Sequence, residues 1–191
     1  MNIEKSNIAL LPTKHGKFKI KAYKQGTQEH LLIMSENFES LESPYVRIHS
    51  ECLTGDTFGS LKCDCQNQLN LALDFISQEG GIVIYHRQEG RNIGLLNKVN
   101  AYCLQEQGRN TIEANLELGF GEDDRDYSVV EEIFNDLKLK KIKLITNNPT
   151  KIKYLEGLGV EIVERIPAIT AKNEHNKNYL NTKKDQMGHL L

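Results

Sequence analysis

The sequence predicts an α/β protein in which helices flank a layered mixed β-sheet, with additional antiparallel strands at the N-terminal end. From residue 45 onward, strand-like segments alternate with amphipathic helical segments, which is typical of a sheet covered by helices. Before that point, strand-like segments follow one another without an intervening helix, as antiparallel neighbours do. The 191 residues contain no low-complexity linker, so residues 1–191 are expected to form a single domain.

The early strands are indicated by alternation of side-chain character. "KFKIKAY" alternates lysine with apolar residues, which is typical of a half-buried strand, and "HLLIM" and "YVRIHSE" follow as further strands. In the last of these, Val46 and Ile48 are expected to face the core. Because side chains alternate across a strand, Arg47, His49 and Glu51 fall on the opposite face.

The later elements are indicated by periodicity and by end signals. "QLNLALDFISQEGG", "IGLLNKVNAYCLQEQG" and "NNPTKIKYLEGLG" read as helices, the last with Pro149 in its first turn. "SVVEEIFNDLKL" is predicted to begin with a capping box from Ser128 to Glu131. "GIVIYH", "KIKLIT" and "VEIVERI" read as strands between them. Residues 172–191 form a polar tail that we expect to be partly mobile.

The charge balance narrows the function classes. With 24 basic and 26 acidic residues the net charge is −2, so no overall field attracts nucleic acid or an anionic membrane. We therefore expect neither nucleic acid nor membrane as a partner.

The N-terminus lacks a signal-peptide core and the apolar runs are too short to span a bilayer, which predicts a cytoplasmic protein. In a reducing compartment, clustered cysteines favour metal binding or catalysis over disulfides.

Three cysteines lie within fourteen positions, as Cys52, Cys63 and Cys65. Zinc held by three protein ligands keeps one position for a water, whose pKa falls to about 7, and this is the arrangement of catalytic sites. A structural zinc completed by a distant histidine, three buried thiols and a redox pair remain as alternatives. The fourth cysteine, Cys103, falls in the middle of a predicted helix, and we expect it in the core.

Polar clusters follow two of the predicted strands. "YHRQEGRNIG" (85–94) and "TNNPTK" (146–151) each lead from a strand into a helix and carry cations, as anion-binding sites at helix N-termini do. A third cluster, "FGEDDRDYS" (120–128), places acids before Arg125. Taken singly, these segments also read as a solvated loop, a helix cap and a turn. Together with a three-thiolate metal they predict metal-assisted hydrolysis of a phosphorylated substrate at the carboxyl ends of the strands.

At this point a resemblance becomes visible. The motifs "RIHSECLTGD", "CDC", "YHRQEGRNIGLLNK", "TNNP" and "MGHLL", in this order, closely resemble the GTP cyclohydrolase II family over nearly the whole chain, in the form without a dihydroxybutanone-phosphate synthase domain. The resemblance implies opening of the imidazole ring of GTP at carbon 8, with release of formate and pyrophosphate. The remaining product is 2,5-diamino-6-ribosylamino-4(3H)-pyrimidinone 5′-phosphate, in the first step of riboflavin biosynthesis. It also implies one Zn²⁺ per subunit, Mg²⁺ with the triphosphate, and a homodimer.

The resemblance further implies functional positions, motif by motif. Cys52, Cys63 and Cys65 match the zinc ligands. The positions that match the nucleotide-binding residues of the family are Arg47, Ile48, His49, Ser50, Glu51, Gln68, Glu89, Gly90, Arg91, Thr111, Thr146 and Lys151.

Three further positions match residues implicated in catalysis: Asp123 the general base, Arg125 the nucleophile and Tyr102 a catalytic tyrosine. Because arginine stays protonated, with a pKa above about 12, we expect Arg125 to stabilise phosphate charge and not to attack phosphorus. Guanine recognition requires a carboxylate facing the ring N–H and the amino group. Glu113, in "TIEAN", is our candidate for it.

The chain departs from the family pattern beside the cysteines. Lys62 stands where family members usually have arginine, and Gln66 stands where they usually have glycine. A positive φ at position 66 would strain glutamine.

A second functional hypothesis is a catalytically inactive, zinc-stabilised regulator that binds guanine nucleotides. Retention of Tyr102, Asp123 and Arg125 disfavours it, since binding alone does not require all three.

Overall fold

The structure is a computed structural model that describes residues 3–121 and 123–191. One eight-stranded sheet runs through this part of the chain. Its strands are β1 (Ile3–Lys5), β2 (Ala9–Thr13), β3 (Gly16–Gln25), β4 (Gln28–Ser35), β5 (Tyr45–Ser50), β6 (Gly81–His86), β7 (Lys141–Ile145) and β8 (Glu161–Ile166). The α-helices in the same residues are α1 (Leu53–Asp56), α2 (Cys65–Glu79), α3 (Gly94–Glu106), α4 (Thr111–Glu117), α5 (Ser128–Asp136), α6 (Pro149–Gly157) and α7 (Lys177–Asp185).

The sheet is mixed, as predicted. Its order is β1-β3-β4-β6-β5-β7-β8, with β2 also paired to β3. The pairs among β1 to β4, and the pair of β4 with β6, are antiparallel. Strands β6, β5, β7 and β8 are parallel neighbours, so their carboxyl ends meet at one edge of the sheet. The predicted fold class is therefore confirmed.

Both faces of the central strands are buried. Val46 and Ile48 pack into the core that the sheet forms with α5 and α6, as the alternation predicted. The opposite face is covered by α2, which contributes Ala72 and Ile76 to a second cluster. Coverage of both faces makes β5 a fully buried strand, which is typical of parallel sheets. Arg47, on the second face, is therefore 6% exposed and needs internal partners.

Two local predictions are wrong. Helix α5 begins at Ser128 as expected, but the capping box with Glu131 is replaced by another arrangement. The backbone N–H of Ser128 donates to Oδ1 of Asp126 at 2.9 Å, and the Ser128 hydroxyl accepts from Gln25 at 2.7 Å. Cys103 lies on α3 as expected, yet it is exposed and does not belong to the core.

Helix α3 presents an apolar face to the outside. Leu96 is 73% exposed, and Leu95 and Val99 on the same helix are also exposed. This face includes Cys103, because residues three to four positions apart share one side of a helix. The described chain by itself does not cover this surface.

The predicted polar tail contains the helix α7.

Helix α6 begins at Pro149, as predicted. Asn148 caps it, because its side chain accepts from the backbone N–H of Thr150 at 2.9 Å. Within residues 3–121 and 123–191, no helix has both the length and the apolar character that crossing a membrane requires.

Candidate active site

One cavity opens at the carboxyl ends of β5, β6 and β7, at the sheet edge where the sequence placed the polar clusters. Strand β5 leads into the segment with Cys52, β6 leads into a 3-10 turn at Glu89–Asn92, and β7 leads into Thr146. Open α/β sheets bind ligands at this edge because loops from neighbouring parallel strands converge there.

The three clustered cysteines come together in this cavity. Cys52 follows β5, and Cys63 and Cys65 stand at the start of α2. Their sulfur atoms lie within 4.8 Å of one another, and those of Cys52 and Cys63 are 3.7 Å apart. Two thiolates on a tetrahedral zinc, with Zn–S of about 2.3 Å, lie about 3.8 Å apart. The trio could therefore hold one metal ion, and no fourth His, Cys, Asp or Glu of the described chain joins the group.

The space between the three thiols depends on a glycine. A Cβ at Gly55 of α1 would lie 2.8 Å from Sγ of Cys63, 3.0 Å from Sγ of Cys52 and 3.1 Å from Cβ of Cys65. These distances are shorter than van der Waals contact, so any larger residue would displace the sulfurs. The backbone of α1 thus forms one wall of the candidate metal centre.

A lysine of α3 brings a positive charge to this centre. The Nζ of Lys98 lies 3.1 Å from Sγ of Cys52 and 2.7 Å from the carboxylate of Glu89. Hydrogen bonds from the thiols of Cys63 and Cys65, together with Lys98, lower the pKa of Cys52. The neighbouring Cys52 thiolate in turn raises the pKa of Cys63 to about 11. The ammonium of Lys98 therefore favours the thiolate form of Cys52.

The turn after β6 holds an unusual backbone. Gly90 and Arg91 both have φ of 62°, and Asn92 has φ of 76°. For a residue other than glycine this conformation costs roughly 1–2 kcal/mol, and such strain concentrates at functional sites. Glu89 ties the turn to α1, because its Oε2 accepts from the backbone N–H of Leu53 at 2.6 Å.

A chain of hydrogen bonds links β5 to residues 57–64, the segment between α1 and α2 that carries Cys63 and is called the cysteine loop here. Arg47 donates to the carbonyl of Ile145 at 3.1 Å and to Oε1 of Gln68 at 2.7 Å. Gln68 donates to Asp64 at 2.6 Å, and Asp64 stands between the two cysteines that open α2. Among the described residues the Nε of Arg47 has no partner, so this buried donor is available to a ligand.

His49 lies on the same face of β5 and holds the loop that carries Cys52. Its Nε2 lies 3.0 Å from both carboxylate oxygens of Asp56. Asp56 also accepts from the backbone N–H of Cys52 at 3.0 Å and from Tyr85 Oη at 2.8 Å. Burial lowers the pKa of His49 despite the nearby carboxylate, so the ring is neutral at pH 7. The sequence analysis did not identify Asp56, whose role depends on a contact between separate elements.

Two buried cations converge on Ser50. Arg125 donates to the Ser50 hydroxyl at 2.7 Å, and the Nζ of Lys151 lies 3.3 Å from it. Lys151 also donates to the backbone carbonyl of Ile48 at 2.7 Å, so Ile48 takes part through its backbone while its side chain lies in the core. Burial, followed by the charges of Arg125 and Arg47, lowers the pKa of Lys151 well below its ordinary value. Such a concentration of positive charge is stabilised by an anion.

Arg125 is firmly protonated. Its guanidinium pairs with both carboxylate oxygens of Asp123. Burial alone would lower the pKa of Arg125, but the paired carboxylate outweighs burial and raises it.

The loop that carries Asp123 and Arg125 is held in place by Gln88. Its side chain donates to the backbone carbonyl of Asp126 at 3.1 Å and accepts from the N–H of the same residue at 2.9 Å. Glu122, an acid of the same loop, lies outside the described residues.

Tyr102 faces the cysteine trio. Its hydroxyl lies 3.2 Å from Oγ1 of Thr54, which in turn lies 3.7 Å from Sγ of Cys52. The Nζ of Lys62 lies 4.8 Å from the centre of the Tyr102 ring.

Gln66 is in the first turn of α2 and has the ordinary negative φ of a helix. The strain that a positive φ would impose on glutamine at this position therefore does not arise.

Most of the predicted site residues line this one cavity. They are Arg47, His49, Ser50, Glu51, Cys52, Cys63, Cys65, Gln68, Glu89, Gly90, Arg91, Tyr102, Thr111, Arg125, Thr146 and Lys151. Asp123 reaches it through its pair with Arg125. Glu113 is not among the lining residues: it is exposed, and its carboxylate accepts from the backbone N–H of Asn110 in the capping box of α4.

Several lining residues were missed by the sequence analysis. They are Lys98, Asn115, Asn147, Tyr179, Lys183, Met187 and His189. Lys98 precedes Tyr102 by four positions on α3, so helical spacing could have placed both on one face. The last four belong to the polar tail, where the motif "MGHLL" contains Met187 and His189 but was not assigned a role in the site.

The fold and the site define an α/β enzyme with a candidate three-cysteine metal centre in a cation-lined cavity. Comparison with known proteins agrees with this class. The sequence model of the GTP cyclohydrolase II family matches residues 4–167, and the chain belongs to this family. It is therefore a hydrolase.

Relatives match over nearly their whole length. GTP cyclohydrolase-2 of Campylobacter fetus is 57% identical over 100% of this chain and 97% of the relative. The proteins of the same name from Campylobacter hominis and Helicobacter pylori strain P12 are 54% and 52% identical, over 100% and 99% of this chain and 97% and 98% of the relatives. A solved two-domain 3,4-dihydroxy-2-butanone 4-phosphate synthase from A. baumannii is 18% identical with a TM-score of 0.44, over 89% of this chain and 40% of that chain.

Proposed function

We propose that the protein catalyses the zinc-dependent hydrolytic opening of the imidazole ring of GTP. The products are formate, pyrophosphate and 2,5-diamino-6-ribosylamino-4(3H)-pyrimidinone 5′-phosphate, as in the first step of riboflavin biosynthesis. The observation that carries this proposal is the trio of Cys52, Cys63 and Cys65, with sulfurs within 4.8 Å, at the edge of a cavity lined by buried cations.

The donor set suits zinc. Three thiol ligands and a 3.7 Å separation of Cys52 and Cys63 sulfurs match tetrahedral Zn–S coordination with a position left open. When bound, zinc supplies Lewis acidity, which makes hydrolytic chemistry accessible at neutral pH. Gly55 keeps the required space free, and Lys98 offsets the negative charge of three thiolates.

The cations suit the triphosphate. Arg125 and Lys151 share Ser50, and Arg47 keeps a buried donor without a partner in the described chain, so charge-assisted hydrogen bonds to phosphate oxygens can form. Mg²⁺ accompanies the triphosphate, because it binds phosphate oxygens readily and offsets their charge. We propose that the remaining lining residues predicted from the motifs contact the nucleotide as well.

Three residues are proposed to act in the chemistry. Asp123 is ionised and paired, since burial raises its pKa less than the contact with Arg125 lowers it, and an ionised carboxylate can accept a proton. Arg125 stabilises negative charge on the phosphates while pyrophosphate leaves. Tyr102 offers a hydroxyl beside the cysteine trio, within reach of Thr54.

The test is direct. Purified protein is incubated with GTP and Mg²⁺, with and without a zinc chelator, and formate and pyrophosphate are measured separately. We expect both products in equal amounts, loss of both after chelation, and recovery with zinc. Neither product from metal-loaded protein that still binds GTP would favour the inactive regulator. Formate without pyrophosphate would indicate a different cyclohydrolase reaction.

We further propose a single-domain homodimer that works in the cytoplasm. The exposed apolar face of α3, with Leu96, Val99 and Cys103, offers a surface that a second copy could bury. Light scattering of the purified protein tests the dimer, with Leu96→Glu expected to shift it toward monomer.

A further inference from the structure

The last fifteen residues, 177–191, are called the C-terminal segment here, and they touch three walls of the cavity. Lys183 Nζ lies 3.2 Å from Oδ1 of Asp64 in the cysteine loop. A guanidinium nitrogen of Arg91, in the turn after β6, lies 3.1 Å from the sulfur of Met187. The backbone N–H of Leu190 donates to the carbonyl of Asn147, after β7, at 2.9 Å.

One short stretch therefore bridges the motifs that build the candidate active site. The contact with Asp64 is largely buried, since the side chains of Lys183 and Asp64 are 12% and 2% exposed. A buried ion pair contributes little net stability, but it specifies one arrangement because either charge alone is costly. Lys183 also lies 4.2 Å from the centre of the Tyr179 ring, one helical turn earlier in α7.

After α7 the chain turns back into the cavity. Gly188, with φ of 63°, permits this turn, and the backbone N–H of His189 then donates to the carbonyl of Lys183 at 3.0 Å. His189 thereby joins Arg91, Arg125 and Lys151 among the residues that line the cavity.

The His189 ring is surrounded by positive charge. Burial, followed by Lys183, Lys151, Arg91 and Arg125, lowers the pKa of His189 to about 3, so the imidazole is neutral at pH 7. A neutral imidazole still offers one N–H donor. His189 shares the cavity with Arg91, Arg125, Lys151 and Lys183, so an anion is a favourable ligand there, and the anion that fits this cavity is the phosphate chain of a nucleotide.

We propose that the C-terminal segment is part of the substrate site, with His189 as a ligand of the substrate's phosphate chain and the Lys183–Asp64 ion pair as the contact that holds it there. The inference rests on the proposed function for the identity of the phosphate-bearing substrate. It adds His189 and Lys183, to which the sequence analysis assigned no role, and it gives the polar tail a role in binding.

The first experiment measures phosphate binding without turnover. Magnesium pyrophosphate is titrated into the full-length, zinc-loaded protein by calorimetry, for wild type, His189→Ala, His189→Gln and the exposed control His175→Ala. Losing one hydrogen bond to a charged group predicts about 10-fold weaker binding for H189A. We expect H189Q, which keeps an N–H donor, to recover most of it, and H175A to match wild type.

The second experiment tests the ion pair. Lys183→Met is compared with Lys184→Met, which removes the same charge from the neighbouring exposed position of α7. We expect K183M to raise KM for GTP about 10-fold with a smaller change in kcat, and to expose residues 172–191 to limited proteolysis, while K184M does neither. Zinc content and melting temperature verify that each variant is folded.

Equal pyrophosphate affinity of wild type and H189A, both folded and metal-loaded, overturns the role of His189. Equal KM and protease sensitivity of K183M and K184M overturns the role of the ion pair. Failure of the proposed function has a different signature, namely no formate from wild-type protein. The pyrophosphate titration remains decisive in that case, because it requires no turnover.

Discussion

The ammonium of Lys98 bridges the sulfur of Cys52 and the carboxylate of Glu89, at 3.1 Å and 2.7 Å. This single side chain connects the candidate metal centre to the strained turn after β6. Desolvation opposes its charge, but the neighbouring Cys52 and Glu89 outweigh desolvation and raise the pKa of Lys98. The lysine is therefore charged throughout the physiological pH range, and it compensates the excess negative charge of three thiolates.

We predict that Lys98→Met weakens zinc binding by about 10- to 100-fold, the range expected when a group hydrogen-bonded to a metal ligand is removed. Competition with a chromophoric chelator measures the affinity. Lys153→Met, on the exposed side of α6, serves as the matched control and is expected to bind zinc as wild type does. Unchanged zinc affinity in K98M would show that the lysine serves Glu89 alone.

A second prediction follows from the close approach of Gly55 in α1 to the three thiols. Gly55→Ala places a methyl group 2.8 Å from Sγ of Cys63, so the sulfurs must separate. We expect a loss of zinc affinity of at least about 10-fold and a stability loss of about 1–3 kcal/mol, as for other overpacked sites. Zinc content by atomic absorption and urea unfolding measure the two effects.

The control for this substitution is Gly157→Ala in α6. A Cβ at Gly157 has no neighbour within 4 Å, so alanine is accommodated without contact. Since alanine favours helices over glycine by about 0.5–1 kcal/mol, G157A is expected to keep full zinc content and to be neutral or slightly more stable. Full zinc content in Gly55→Ala would mean that the trio tolerates displacement and that our account of its geometry is wrong.

A third prediction separates two roles for Arg125. Its planar guanidinium holds the Asp123 carboxylate with two nitrogens and reaches Ser50 with a third. Lysine cannot reproduce this fork. We therefore expect Arg125→Lys to reduce turnover by at least about 100-fold, comparable to removing a donor that stabilises developing charge. Single-turnover assays of formate and pyrophosphate, with the exposed Arg109→Lys as control, measure the effect.

The contrary outcome for Arg125 is specific. A covalent nucleotidyl adduct on Arg125, trapped and located by mass spectrometry, would falsify the charge-stabilising role. Substantial activity in R125K would also contradict it, because a primary amine can attack phosphorus whereas it cannot form the bidentate pair.

The sequence predicted much of this site because motifs that follow parallel strands share one edge of the sheet. Alternation along β5 placed Arg47 and His49 on one face correctly. It could not predict that both are buried, since burial depends on α2 covering that face. The same limit applies to Cys103: helical periodicity indicates a face but not whether another element covers it.

Two capping signatures show where local reasoning succeeds and fails. Asn110 and Glu113 form a capping box on α4 that the sequence could have revealed, and this explains why Glu113 does not reach the cavity. Ser128 and Glu131 have the same spacing, yet Asp126 caps the backbone there instead. Asp126 is held there by Gln88, in the segment after β6, which hydrogen-bonds to its backbone N–H and carbonyl. Lys183 was missed for a related reason, because its partner Asp64 lies 119 positions away.

A last prediction concerns acid stability and a histidine outside the active site. His30 is 1% exposed, accepts from the backbone N–H of Arg87 at 3.0 Å and stacks on His86 with ring centres 5.0 Å apart. Burial, followed by the charge of Arg87, lowers the pKa of His30 from 6.5 to about 4, although Asp126 opposes the shift. Below pH 6.5 the unfolded chain therefore binds a proton that the folded protein does not, and stability is lost as the pH falls toward about 4. One such histidine contributes a slope of about 1.4 kcal/mol per pH unit in this window.

We expect His30→Asn, which keeps an acceptor, to reduce the slope of unfolding free energy between pH 6 and 4.5 by about this amount, measured by urea unfolding. The exposed His175→Asn should leave the slope unchanged, and an unchanged slope in H30N would show that the loss of stability in acid arises from other groups.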